Sequence, residues 1–176
     1  LYENWLNNQV NINFDKTKLL YIGRIKVEKG IFSLLDIIKN NNDITLSIVG
    51  AEKNLTQNIN QSNVSVYEVE NNKQKLIRFY DDHNIFILPS FTEGHPMVLL
   101  EALARKRPVI IFEEIEHVIG DKKGIFVSKR NLKSLTDTIN HIKINYREIN
   151  ELMAKNKLPT NKNFLKEFGN LISNLN

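Results

Sequence analysis

The chain has 176 residues, 41% of them hydrophobic and 25% charged, which is the composition of an ordinary globular domain and excludes wholesale disorder. It has no cysteine, so disulfide frameworks, thiol nucleophiles and cysteine-bound zinc are excluded, and a reducing cytoplasm is the setting that fits. Its formal charge of +4, from 24 basic and 20 acidic residues, is too mild to imply a nucleic acid partner, and no run reaches the ~18 apolar residues of a membrane-spanning helix.

Short runs rich in Ile and Val recur along the chain with helical patterns between them. Strands are predicted at 19–23, 44–49, 64–69, 85–88, 109–112 and 124–127. Most are too continuously apolar for a sheet wet on one face, and instead read as strands covered on both sides. Ile31, Leu34, Leu35 and Ile38 fall at i, i+3, i+4 and i+7, a helix stripe that the Asn40-Asn41-Asn42-Asp43 cluster then stops. Leu76, Ile77, Phe79 and Tyr80 mark a second helix. Val98, Leu99, Ala102 and Leu103 mark a third, with Pro96 in its first turn. Residues 132–144 and 149–154 read as helices, Pro159 breaks the chain, and Phe164, Leu165, Phe168, Leu171 and Ile172 pattern a closing helix within 160–176.

The alternation predicts one α/β domain over 1–176, a doubly wound, Rossmann-like, six-stranded parallel sheet in the order 3-2-1-4-5-6. Residues 1–18 are expected to be an entry segment from an upstream domain, since the chain starts at Leu1. In such a sheet ligands bind beyond the carboxyl ends of the strands, where the order reverses between strands 1 and 4. Topology therefore nominates the loops after Gly23 and after Leu88.

The first loop reads Tyr21-Ile22-Gly23-Arg24-Ile25-Lys26-Val27-Glu28-Lys29-Gly30. Arg24 and Lys29 flank the turn at Gly23, and two cations beside a helix start suit a dianion such as a diphosphate. A merely solvated charged turn is the competing reading. The second loop runs from Leu88-Pro89-Ser90 through Glu93-Gly94-His95-Pro96-Met97-Val98 to Glu101. Free N–H groups at Met97 and Val98 would attract anions. Glu101 stands among Leu99, Leu100, Ala102 and Leu103, a costly place for a carboxylate without a partner. Pairing with Arg105 at i+4 is one explanation, and a ligand is the other.

These two loops together resemble the nucleotide-sugar-binding half of the GT-B retaining glycosyltransferases, family 4 (group 1). The resemblance rests on Gly23-Arg24 with Glu28-Lys29-Gly30, on Leu88-Pro89-Ser90, and on Glu93 and Glu101 in that family's E-x7-E spacing. It implies a C-terminal donor domain whose N-terminal acceptor domain lies elsewhere in the same protein, with a UDP- or GDP-linked sugar as donor and a saccharide or lipid-linked acceptor. Cell-envelope polysaccharide synthesis is the implied setting. No cofactor or metal is implied.

Arg24, Lys29 and Glu93 would be catalytic, the two cations stabilising the diphosphate leaving group and Glu93 facing the sugar. Same-face attack makes Glu93 an electrostatic or positioning group rather than a nucleophile. Gly23, Gly94, His95, Pro96, Met97 and Val98 would hold phosphates and sugar, and Glu101 the ribose. Gly50 and Val69 would lie by the base. His83, His117 and His141 read as structural or surface residues.

One departure concerns the stretch after strand 5, Phe112-Glu113-Glu114-Ile115-Glu116-His117, where the family has a Gly-Gly turn. Beside a diphosphate these carboxylates would repel it, so either they face solvent, or the donor pose or sugar differs from the family's, or Glu113 and Glu116 hold a divalent metal with Asp121. The alternative to an enzyme is a non-catalytic nucleotide- or partner-binding module with a degenerate pocket. Lys155, Lys162 and Lys166 near the end also allow peripheral contact with an anionic membrane, which would place the protein at its inner face; an ordinary amphipathic helix packed back toward the upstream domain is the competing and preferred reading.

Overall fold

A computed structural model describes residues 3–6, 9–10, 12–52, 59–161 and 165. Six parallel strands form one sheet: β1 (Thr17–Ile22), β2 (Ile44–Ala51), β3 (Val64–Glu68), β4 (Ile85–Leu88), β5 (Val109–Phe112) and β6 (Ile125–Ser128), ordered β3-β2-β1-β4-β5-β6. This is the expected order. Leu19 of β1 pairs with Leu46 of β2 on one side and with Ile85 of β4 on the other, so the reversal falls between β1 and β4. Every residue of β4 and β5 is buried, which is why their sequences carry no alternation.

The helices are α1 (Ile31–Ile38), α2 (Lys73–Asp81), α3 (Met97–Ala104), α4 (Leu132–Ile144) and α5 (Tyr146–Met153). Ile31, Leu34, Leu35 and Ile38 of α1 are all buried, as their spacing requires. Asn72 caps α2 through Gln74 and Lys75, and Asn131 caps α4 through Ser134. Two expectations need correction. Pro96 is the N-cap of α3 rather than part of its first turn, and α5 starts three residues early, at Tyr146. The connection from β5 to β6 holds a short 3₁₀ segment, Glu113–Val118, not a helix, because its charged run has no apolar stripe to lay on the sheet. Among the described residues no α-helix joins β2 to β3. The closing helix, with Lys162 and Lys166, lies outside the described residues apart from 161 and 165.

At the end of the sheet opposite the reversal loops, two arginines are buried whole. Arg105, just past α3, makes a two-point contact with Asp81 of α2 at 3.0 and 2.8 Å and donates to Trp5 O at 3.1 Å. Arg107 donates to Tyr80 O at 2.7 Å and to Val10 O at 3.0 and 2.9 Å, and lies 3.5 Å from Asp81. These bonds fasten the described N-terminal segment to the body. Buried Trp5 packs edge-on against the Tyr80 ring, 5.6 Å between centroids. Asn63, part of a glycosylation-like Asn-Val-Ser triplet, is buried and its amide is spent on the carbonyls of Ile38, Asn41 and Ile44. Among the described residues no helix is long and apolar enough to cross a membrane.

Candidate functional site

At the carboxyl ends of β1 and β4 the two nominated loops are fastened to one another. The chain leaves β1 at Gly23, whose N–H donates to Val49 O at 2.9 Å, then makes a 3₁₀ turn at Val27–Lys29. Gly30 closes that turn in the left-handed region at φ 65°. A Cβ there would lie 1.9 Å from Pro89 O, so only glycine lets the post-β4 loop cross at this distance. The backbones join directly as well, Phe91 N donating to Glu28 O at 3.0 Å.

Lys29 and Glu93 form the side-chain link between these loops, Nζ to Oε1 at 2.8 Å. Buried Ser90 donates to the same carboxylate oxygen at 2.7 Å. Glu93 Oε2 accepts nothing among the described residues and stays available to a hydroxyl. The loop is gripped from its far side too. Arg130 donates to Pro89 O at 3.0 Å while its guanidinium lies 4.1 Å over the Phe91 ring and 4.3 Å over the Phe112 ring. His117 contacts Glu93 O at 2.8 Å, and since a carbonyl only accepts, Nε2 there carries the proton.

Gly23, Arg24, Lys29, Glu93, Pro96, Met97 and Val98 line one open cleft of about 280 Å³. Arg24 is exposed and its guanidinium has no partner among the described residues, whereas Lys29 is already engaged. The Arg24 backbone is fixed instead, through its carbonyl, by the Tyr21 hydroxyl at 2.8 Å. Burial pushes that phenol up, so it stays protonated and donates. The N–H groups of Met97 and Val98 open α3 with no intrahelical acceptor. One unpaired cation, one shared cation and two free donors thus face a single cleft. That arrangement suits an anion.

Gly94, exposed His95 and Pro96 continue into an adjoining cavity of about 220 Å³, whose other wall holds His117, Gly120 and Lys122. Gly50, at φ 116°, is pressed against Gly23: a Cβ on it would lie 2.6 Å from Gly23 O. Val69 stands exposed just beyond edge strand β3 and lines neither cavity. A hollow of about 370 Å³ between α1 and residues 59–61 is larger, but Ile25, Phe32 and Leu35 make it mainly apolar and no helix start points into it.

Glu101 lies one turn beyond Val98 on the same face of α3. Its expected alternative partner, Arg105, is turned away: the chain leaves helical geometry at Arg105 (φ −88°, ψ 9°), which sends the guanidinium to Asp81. Glu101 Oε2 accepts instead from the Tyr80 hydroxyl at 2.9 Å. Burial pushes its carboxyl up from the ordinary value, and that hydrogen bond pulls the other way.

The acidic stretch does not crowd the cleft. Glu113, Glu114 and Glu116 are exposed, and Glu114 pairs with Arg130 at 2.8 Å, a bond that holds its carboxyl below the usual value. Among the described residues no group of three or more acidic or histidine side chains could hold a metal ion.

The family description glycosyl transferases group 1 matches residues 5–158, which include both loops and the whole sheet. The chain belongs to this family.

Over 140 residues this group 1 chain is 28% identical to the putative teichuronic acid biosynthesis glycosyltransferase TuaC of Bacillus subtilis (strain 168), covering 76% of the chain and 35% of that protein. It is 27% identical over 150 residues to the capsular polysaccharide biosynthesis glycosyltransferase CapM of Staphylococcus aureus, covering 77% of the chain and 39% of the relative. The chain thus spans well under half the length of these curated relatives. Its fold matches that of Anabaena Alr3699/HepE, solved in complex with UDP and glucose, at a TM-score of 0.69 and 15% identity, covering 90% of this chain and 48% of the other.

Four residues at this group 1 site escape sequence reasoning: Ser90, His117, Arg130 and Tyr80. Ser90 carried a signal in its Leu-Pro-Ser context. His117 and Tyr80 read as a surface and a core residue until the fold brings them to Glu93 and Glu101, and Arg130 carries no signal until it is brought to Pro89 and Phe91.

Proposed function

We propose that the chain is the donor-binding C-terminal half of a GT-B retaining glycosyltransferase, taking a UDP- or GDP-linked hexose for transfer to a saccharide or lipid-linked acceptor. The observation that carries this reading is the unpaired Arg24 guanidinium, facing the same cleft as Lys29 and the open N-terminus of α3. A diphosphate placed there meets two cations and two backbone donors. As the bond from the anomeric carbon to phosphate breaks, charge grows on the leaving diphosphate, and fixed positive groups aimed at it lower the barrier. Glu93, with one oxygen free, faces the sugar, and Glu101 takes the ribose hydroxyls. The names of the relatives point toward cell-envelope polysaccharide, and the UDP and glucose held by the structural neighbour support a nucleotide-sugar donor. The acceptor belongs to an N-terminal domain, so the 176-residue chain binds donor nucleotide and transfers almost nothing alone. The reading puts the protein in the cytoplasm.

The test is a thermal-shift panel of UDP, GDP, ADP and their sugars. One base is expected to give a saturable rise, roughly 5–10 °C at a hundredfold excess over its dissociation constant. If none of the diphosphates stabilises the chain, the reading fails and a non-catalytic module takes its place.

The Lys29–Glu93 pair adds a prediction of opposite sign to a simple loss. The diphosphate must draw Lys29 from a carboxylate 2.8 Å away. Glu93→Gln is therefore expected to tighten nucleoside diphosphate binding by about three- to fivefold, while the complete enzyme loses transfer rate. Calorimetric titration checks the first half, and weaker binding by the variant would contradict the competition.

A further inference from the structure

Tyr80 ends the apolar stripe of α2 and is wholly buried. Its ring meets Trp5 edge-on and lies tilted on Phe86, both at 5.6 Å, and its carbonyl accepts from Arg107 at 2.7 Å. Phenylalanine would fill this space equally well, so packing does not explain the hydroxyl. That hydroxyl donates to Glu101 Oε2 at 2.9 Å and lies 3.3 Å from Val98 O, so it touches Val98, which lines the cleft, and Glu101, one turn further along α3 and outside the lining of both cavities. Buried phenols require a partner, and here the partner is the carboxylate assigned to the ribose.

The kind of partner matters. A guanidinium would have occupied both carboxylate oxygens and cancelled their charge, and Arg105, the cation at the right spacing, is committed to Asp81. A neutral hydroxyl occupies Oε2 only. Oε1 has no donor among the described residues, and the carboxylate keeps its full acceptor strength. Because the Tyr80 ring is packed against Trp5 and Phe86 and its carbonyl is held by Arg107, its hydroxyl oxygen is fixed in place, and the shorter of its two bonds fixes the turn of the Glu101 side chain.

We propose that Tyr80 is a positioning residue for donor recognition: through one hydrogen bond it orients Glu101 so that its free oxygen reads the vicinal hydroxyls of the ribose. The proposal rests on the donor-binding reading above and adds to it the residue that sets sugar-ring discrimination at the nucleoside end.

The experiment compares a nucleoside diphosphate with its 2′,3′-dideoxy counterpart by calorimetric titration, using whichever of UDP, GDP or ADP binds, with inorganic pyrophosphate as control. The parent chain is expected to prefer the ribonucleotide by about tenfold or more. Tyr80→Phe is expected to bring that ratio to within about threefold of unity, leaving pyrophosphate affinity within twofold of the parent. A structural role alone would weaken all three probes together or none of them. A ratio retained in Tyr80→Phe overturns the proposal, as does a parent chain that binds both nucleotides equally. If the parent binds no nucleoside diphosphate, the donor-binding reading itself falls. Should Tyr80→Phe fail to fold, 3-fluorotyrosine placed at position 80 keeps the ring and hydroxyl and changes only donor strength. The ratio should then shift at an unchanged melting temperature, and an unmoved ratio overturns the proposal.

Discussion

Asp81→Ala is expected to lower the melting temperature by roughly 6–20 °C, the equivalent of about 3–5 kcal/mol for a domain of this size. Asp81 is the shared carboxylate of Arg105 and Arg107, each only 1% exposed. Burial already pulls the Arg107 guanidinium down from its ordinary value, and the charge of Asp81 works against that pull. Removing the carboxylate takes from two buried cations the acidic partner they share. The same bonds hold Trp5 and Val10, so the N-terminal segment should loosen with the core. Breaking Lys133–Asp137, with side chains 87% and 61% exposed, gives the contrast, since solvent screens that pair and its loss should barely move the melting temperature. Circular-dichroism melts of both variants check this. An Asp81→Ala chain melting within about 2 °C of the parent would show that the buried cluster does not carry the load assigned to it.

Arg24→Ala is expected to weaken nucleoside diphosphate binding by about 10- to 100-fold, the loss of one or two charge-assisted hydrogen bonds. The melting temperature without ligand should not move, because the Arg24 side chain is exposed and no described residue bonds to it. Arg24→Lys should recover only part of the affinity, since an ammonium lacks the planar fork that meets two phosphate oxygens at once. The combination separates a ligand contact from a structural one. A folded Arg24→Ala chain with affinity within about threefold of the parent would remove the cation from the site.

The sheet was legible because its two central strands on the β4 side are wholly buried, and Ile85-Phe86-Ile87-Leu88 and Val109-Ile110-Ile111-Phe112 say so without ambiguity. Topology then led to the two loops, and Arg24, Lys29, Glu93, Met97 and Val98 do line one cleft. What stayed hidden was the choice of partner. Glu101 and Arg105 have the spacing of a helical ion pair, yet α3 ends at Ala104 and the arginine follows the departing chain to Asp81. Tyr80 fits its apolar stripe so well that nothing in the pattern reveals its hydroxyl bond to α3. His117 and Arg130 lie after β5 and β6, far along the chain from the loop they grip, and only the strand order brings them there. Acidic residues 113–116 were ambiguous for a local reason: a 3₁₀ segment turns all three carboxylates outward and buries Ile115 between them.

The claim on which this account depends is that Arg24, Lys29 and the start of α3 recognise a pair of linked phosphates. Calorimetric titration of the diphosphate and monophosphate of one nucleoside tests it most directly. The account predicts a diphosphate at least about tenfold tighter than the monophosphate, with most of that gap lost in Arg24→Ala. Equal affinities for the two, or a gap that Arg24→Ala leaves intact, would contradict it.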